Sequence, residues 1–410
     1  MKHFIGLLVV LLFSASVSAE NWPSWRGPDQ NGVGSKGPFP TTWSADSNIA
    51  WRIDLPGGGS STPIVWEKNI VLTTTENGAN LTLCLDRSGK EKWRSETGKA
   101  AGGKHKKASG SNSSPITDGK HIYAYFKSGD LACIDFTGKV VWQLNIQEKY
   151  GEDTLWWDLG TSPVLTTNHV VIAVMQTGPS YLLALDKHTG AIAWQHERNL
   201  DAPLEAAQSY STPVVTTINN KESIVVLGAD FVTAHDAKSG KELWRIGTLN
   251  PNGEKYWRSI ASPAISNGII LAPYARGKTL TAIDLNTTTP TVSWTVDNIC
   301  ADVPTPIAIN DKAILTTDRG LVTQIAIKTG KTTWQTELEK NRLAFSASPI
   351  LAGAHVYLTR EDGTTFVVHA DTGKVVAKNV LPEAFAVATP VFVDGKILIR
   401  TSQELYCVGK

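Results

Sequence analysis

The chain is poor in cysteine, balanced in charge and without long apolar runs beyond its start. It has 410 residues but only four cysteines, no two of them adjacent. Its 39 basic and 38 acidic residues leave a formal net charge of +1, which gives no electrostatic case for nucleic acid as a partner. After residue 19 no segment approaches the ~18 apolar residues that a membrane helix needs. The histidines show no HExxH or comparable metal spacing, and GxSxG, Walker and dinucleotide motifs are missing. Gly57 to Gly59 are not followed by a helix, so they are no phosphate cradle. Hydrophobic content of 41% excludes a disordered chain and allows a large core.

What is present is a repeat. Eight Ser-Pro or Thr-Pro dipeptides each open an apolar run, at Pro63, Pro115, Pro163, Pro213, Pro263, Pro306, Pro349 and Pro390. Their spacing runs from 41 residues (Pro349 to Pro390) to 52 (Pro63 to Pro115). Between them lies a turn followed by Trp: LDRSGKEKW ending at Trp93, IDFTGKVVW at Trp142, LDKHTGAIAW at Trp194 and HDAKSGKELW at Trp244. Weaker copies end at Trp294, Trp334 and Ala377. This period, with short β-branched runs and Gly-bearing turns, predicts an all-β propeller with four antiparallel strands per blade. Asp118-Gly119, Asn267-Gly268 and Asp394-Gly395 fit hairpins, because those residues tolerate positive φ.

The last repeat ends after three strands, while Asn48 to Arg52 carries an outer-strand Trp51 with no strands before it. The N-terminal segment is therefore predicted to complete the last blade, giving eight blades and no open edge. Residues 1–19 read as a cleavable signal peptide, with Lys2 and His3 before an apolar stretch and Val17-Ser18-Ala19 at the cleavage point. No Cys follows for a lipid anchor. Residues 20–47 form a strap and 48–410 the propeller. A periplasmic or secreted monomer without a transmembrane segment is expected. Cys84, Cys133 and Cys407 share one repeat position, filled by Ala in sister repeats, so free buried thiols are expected. Trp51, Trp93, Trp142, Trp194, Trp244, Trp294 and Trp334 are assigned to docking between blades.

The turn motif resembles the tryptophan-docking repeat of the pyrroloquinoline-quinone (PQQ) type propellers, which include quinoprotein alcohol dehydrogenases and BamB-like envelope proteins. The opening NWPSWRGPDQNGVG is similar to the start of many secreted bacterial members. The resemblance covers essentially the whole mature chain. It implies an eight-bladed fold and an exported scaffold that binds envelope proteins, and no cofactor is expected; a small anionic ligand is the other partner expected, from the arginine face below. The alternative it implies is a PQQ-dependent dehydrogenase, with PQQ and calcium in a reduced site. Those enzymes carry a vicinal disulfide over the quinone, and adjacent cysteines are absent here.

Loops after the second and fourth strands of each blade share one face. Every Arg beyond residue 250 falls there: Arg276, Arg319, Arg360 and Arg400 after second strands, Arg258 and Arg342 between blades. Asp302, Asp318, Glu361 and Asp362 are their counter-charges. These residues are expected either to pair and fix loops, or to form a pocket for an anion, a sugar acid or an acidic peptide. In the second case Arg276, Arg319 and Arg360 line one concavity, with Arg258 and Arg400 at its rim. Lys104-His105-Lys106-Lys107 reads as a solvated loop tip.

Overall fold

The computed structural model describes residues 19–382 and 384–410; the proposed signal peptide lies, but for Ala19, outside them. Among the described residues, thirty-two strands form eight four-stranded antiparallel sheets. The first blade shows the plan: an inner strand Ile64–Trp66, then Asn69–Glu76, Ala79–Asp86 and an outer strand Glu91–Lys99. The eighth sheet takes three strands from the C-terminal end and its outer strand, Ile49–Asp54, from the N-terminal region. There Trp51 pairs with Cys407 and Asp54 with Glu404. Among the described residues no helix is long and apolar enough to cross a membrane.

The blades are tied at two radii. On the outside, the indole of one blade lies under the Gly turn of the next. A Cβ on Gly190 would stand 2.6 Å from Trp142, so only glycine allows that approach. Five of the indoles also donate to the carbonyl one residue past the turn's first position: Trp51 to Arg87, Trp93 to Phe136, Trp142 to Lys187, Trp294 to Ile327 and Trp334 to Ala370. Trp194 and Trp244 make no such bond. The Ala237 carbonyl that Trp194 would reach takes His169 Nδ1 instead, and the turn facing Trp244 lacks the Gly-Lys sequence. Three of the cysteines fill the slot opposite the indole, Cys84 opposite Trp93, Cys133 opposite Trp142 and Cys407 opposite Trp51, while Cys300 lies in a loop. All four are buried free thiols.

On the inside, the Ser/Thr-Pro dipeptides close a ring. Proline holds the residue before it extended, which turns that residue's N–H and hydroxyl toward its two neighbouring blades. Thr62 N–H donates to Ser114 Oγ, Ser114 to Ser162, Ser162 to Thr212 and Thr212 to Ser262. Ser262 donates to Thr305, Thr305 to Ser348, Ser348 to Thr389, and Thr389 back to Thr62. The eight bonds measure 2.9 to 3.3 Å.

Candidate functional site: the axial well

The hydroxyl ring surrounds a cavity of about 780 Å³ on the propeller axis. Its floor is made by the strap. Trp22 is buried and exchanges backbone bonds with Val65. Arg26 is also buried, donating from Nη1 to the Pro349 carbonyl at 3.0 Å and from Nη2 to the Pro306 carbonyl at 2.6 Å. Those prolines directly follow ring members Ser348 and Thr305, so the guanidinium sits just beneath the ring. Burial lowers its pKa to about 9. Trp25 lines the well, with Arg26 stacked over its ring at 5.5 Å.

At the mouth, Arg258, Arg276, Arg319, Asp302 and Asp318 line one wall. Arg258 is buried and its Nη2 donates to Asp302 Oδ2 at 2.9 Å, with Nε 3.4 Å from Glu205 Oε1. Its Nη1 has no partner. Arg276 is half exposed and only approaches Asp302, at 3.9 Å. Arg319 is exposed; its Nη1 donates to the Arg342 carbonyl at 2.9 Å, and it has no carboxylate within 4 Å among the described residues. Asp318 Oδ2 accepts the Asp302 N–H, while its Oδ1 is buried and unpartnered. Burial raises the pKa of both aspartates; at Asp302 the Arg258 guanidinium opposes the rise and the Asp318 charge adds to it, while at Asp318 the backbone N–H groups of Asp302 and Val303 oppose it.

The other arginines do not reach the well. Arg360 is buried and folds back on its own loop: Nε and Nη2 fork onto Asp362, with Nη2–Oδ2 at 2.9 Å, and Nη1 donates to the Glu339 carbonyl. The expectation that it lines the concavity is corrected, because a carboxylate two residues along captures it. Arg400 is buried between the last and first blades, bonded to the Ser61 carbonyl at 2.9 Å, and is not at the rim. Desolvation lowers its pKa to about 9. Arg342 does not line the well; its carbonyl accepts from Arg319 Nη1. Glu361 is buried behind it, accepting from Lys107 Nζ at 2.6 Å and Ser346 Oγ at 2.5 Å.

Sequence reasoning missed the loop at 104–107. It is no solvated tip: the buried Asp158 carboxylate accepts the Lys104 and His105 N–H groups, each at 2.8 Å, and pairs with Lys127. This places His105 and Lys107 on the well, beside Trp157 and Tyr210. The loop's Gly/Ser-rich composition hid this, since its anchor lies some 50 residues downstream.

Sequence comparison places the chain in a known class. A family model described as "Outer membrane protein assembly factor BamB" matches residues 33–178, 84–336 and 229–410. The chain belongs to that propeller family. It is 22% identical over 351 residues, 82% of this chain and 80% of the relative, to the outer membrane protein assembly factor BamB of Yersinia pestis. Among solved structures, BamB from Moraxella catarrhalis superposes with a TM-score of 0.63 at 13% identity, covering 88% of this chain and 99% of that one. A europium-containing methanol dehydrogenase gives 0.71 at 11% identity, covering 95% and 98%. These likenesses establish the shared fold.

The resemblance to quinoprotein dehydrogenases implies PQQ and calcium, and the residues present do not fit that pair. The four thiols are dispersed and buried, and none lines the well. Among the described residues, one group of three His, Cys, Asp or Glu side chains comes within ligating distance: His196, His235 and Glu242, on strands of the third and fourth blades away from the well. Asp302 is already engaged by Arg258.

Proposed function

We propose that this chain is an exported, non-catalytic propeller of the cell envelope that receives an anionic ligand in its axial well. The observation that carries this reading is the state of the mouth cations. Arg319 has only a carbonyl partner, Arg276 only a 3.9 Å approach to Asp302, and Arg258 keeps Nε and Nη1 buried without a hydrogen-bond partner. Forked, charge-assisted bonds to a carboxylate are the strongest interaction such groups can make. A blind, partly aromatic cavity of this size suits a small ligand. Family membership supports an envelope setting, where the ligand is a free metabolite or an acidic end of a partner protein.

The test is thermal. A bound ligand raises the melting temperature by mass action, so small carboxylates should stabilise the purified protein and their neutral analogues should not. Absence of any carboxylate effect would overturn the anion reading. The dehydrogenase alternative is checked by adding PQQ and calcium and following dye reduction with alcohols and sugars. No turnover is expected; sustained turnover would overturn the non-catalytic reading.

A further inference from the structure

We propose that the ligand of the well is a sugar acid, its carboxylate held at the Arg258–Arg276–Arg319 wall and its polyol ring lying over Trp25 within the hydroxyl ring. This rests on the anion reading of the same well and narrows it to a ligand class.

The hydroxyl ring supplies the first argument. Each of its eight Ser or Thr oxygens accepts one backbone N–H from the preceding blade, and none of the eight O–H groups donates to a protein acceptor among the described residues. All eight residues line the cavity and are buried. A hydroxyl has one donor and two acceptor sites, so each retains a donor and a lone pair directed by a fixed backbone. Such a surface is matched by a ligand rich in hydroxyls, which also donate and accept. A bare carboxylate satisfies donors alone, and an aliphatic acid satisfies neither function along its length. Buried polar groups left without partners carry a desolvation cost, so a ligand without hydroxyls is disfavoured here.

The floor supplies the second argument. Arg26 covers one face of Trp25 and is itself fixed by the carbonyls of Pro306 and Pro349. The indole is thereby held as a rigid platform, and the cation behind it disfavours an ammonium group above it. A neutral C–H face of a sugar ring suits that surface. Trp157 and Tyr210 on the wall extend the aromatic surroundings. Asp318 Oδ1, buried and unpartnered, offers an acceptor for a ligand hydroxyl near the carboxylate wall.

Isothermal titration of the wild-type protein with glucuronate, glucose and malate separates the possibilities. Glucuronate should bind at least tenfold more tightly than either glucose or malate. Trp25→Leu should weaken glucuronate at least tenfold and leave malate within twofold. If malate binds as well as glucuronate, the sugar reading falls while the anion reading stands. If glucose matches glucuronate, the saccharide survives and the anion reading falls. Binding of none of the three overturns both. The wild-type series decides these outcomes even if Trp25→Leu fails to fold.

Discussion

The two ends of the axial well are built on opposite terms. Beneath the hydroxyl ring a guanidinium, Arg26, is buried without a carboxylate and spends both terminal nitrogens on carbonyls, of Pro306 and Pro349 in the blades and Asn31 in the strap, with Nε alone unpartnered. Above the ring, Arg258 and Arg276 stand beside Asp302 while Arg319 has only a carbonyl partner, and all three remain incompletely bonded. The first end is a structural seal, because a buried cation costs several kcal/mol unless it is bonded, and both terminal nitrogens of Arg26 are committed to carbonyls that tie the strap to two blades. The second retains donor capacity in an accessible place. Cation count alone would treat the two alike; bonding state distinguishes a seal from a receptor.

The largest effect expected from breaking this contrast is at the floor. Arg26→Ala leaves three carbonyls without their donor and opens a void, and should cost about 3–5 kcal/mol, read as a large drop in denaturant midpoint. Stability unchanged by that substitution would mean the strap does not seal the well. Next comes a pair of arginines one blade apart. Arg360→Leu strands Asp362 in a half-buried loop and should destabilise by about 2–3 kcal/mol, whereas Arg319→Leu, at an exposed position, should stay within about 0.5 kcal/mol. Equal losses would contradict the division between paired and open arginines.

A smaller effect is expected from pH. Asp302 and Asp318 have pKa values raised by burial, so on acidification they take up protons before ordinary aspartates do. Their negative charge then no longer opposes a bound carboxylate. Affinity for a carboxylate ligand should therefore rise as pH falls from 7 toward the raised pKa values, provided the ligand stays ionised. Affinity that is flat or falls over that range would place the ligand away from these aspartates. Stability offers a separate check: His235 is held neutral by burial, with its pKa pushed down to about 3. The unfolded chain takes a proton there near pH 6.5, so the folded state loses stability as pH drops below that value, and His235→Gln should remove that part of the acid sensitivity.

The architecture was legible in the sequence because its determinants are local. Asp86, Gly89 and Trp93 lie within one turn and one strand, and the repeat announces itself eight times. The Ser/Thr-Pro pairs were visible as strand openers, but not as a ring, since each hydroxyl serves an amide in the preceding blade, 41 to 52 residues away in seven cases and 327 where the ring closes. The arginine positions indicated the correct face. Side-chain direction did not follow from position: Asp362 captures Arg360, and blade closure buries Arg400 against Ser61. Trp25, His105 and Lys107 gave no signal as well-lining residues, because the strap and the 104–107 loop are placed by distant partners such as Asp158.

The central claim is that the unsaturated arginines of the mouth bind a carboxylate. Its most direct test is calorimetric titration of glucuronate and malate into wild-type protein and an Arg276→Leu/Arg319→Leu double variant. Each lost charge-assisted bond is worth roughly 1.5–3 kcal/mol, so the double variant should keep its melting temperature and lose about a hundredfold or more in affinity for every carboxylate that binds the wild type. An equally stable double variant that binds those carboxylates as tightly as the wild type would contradict the account.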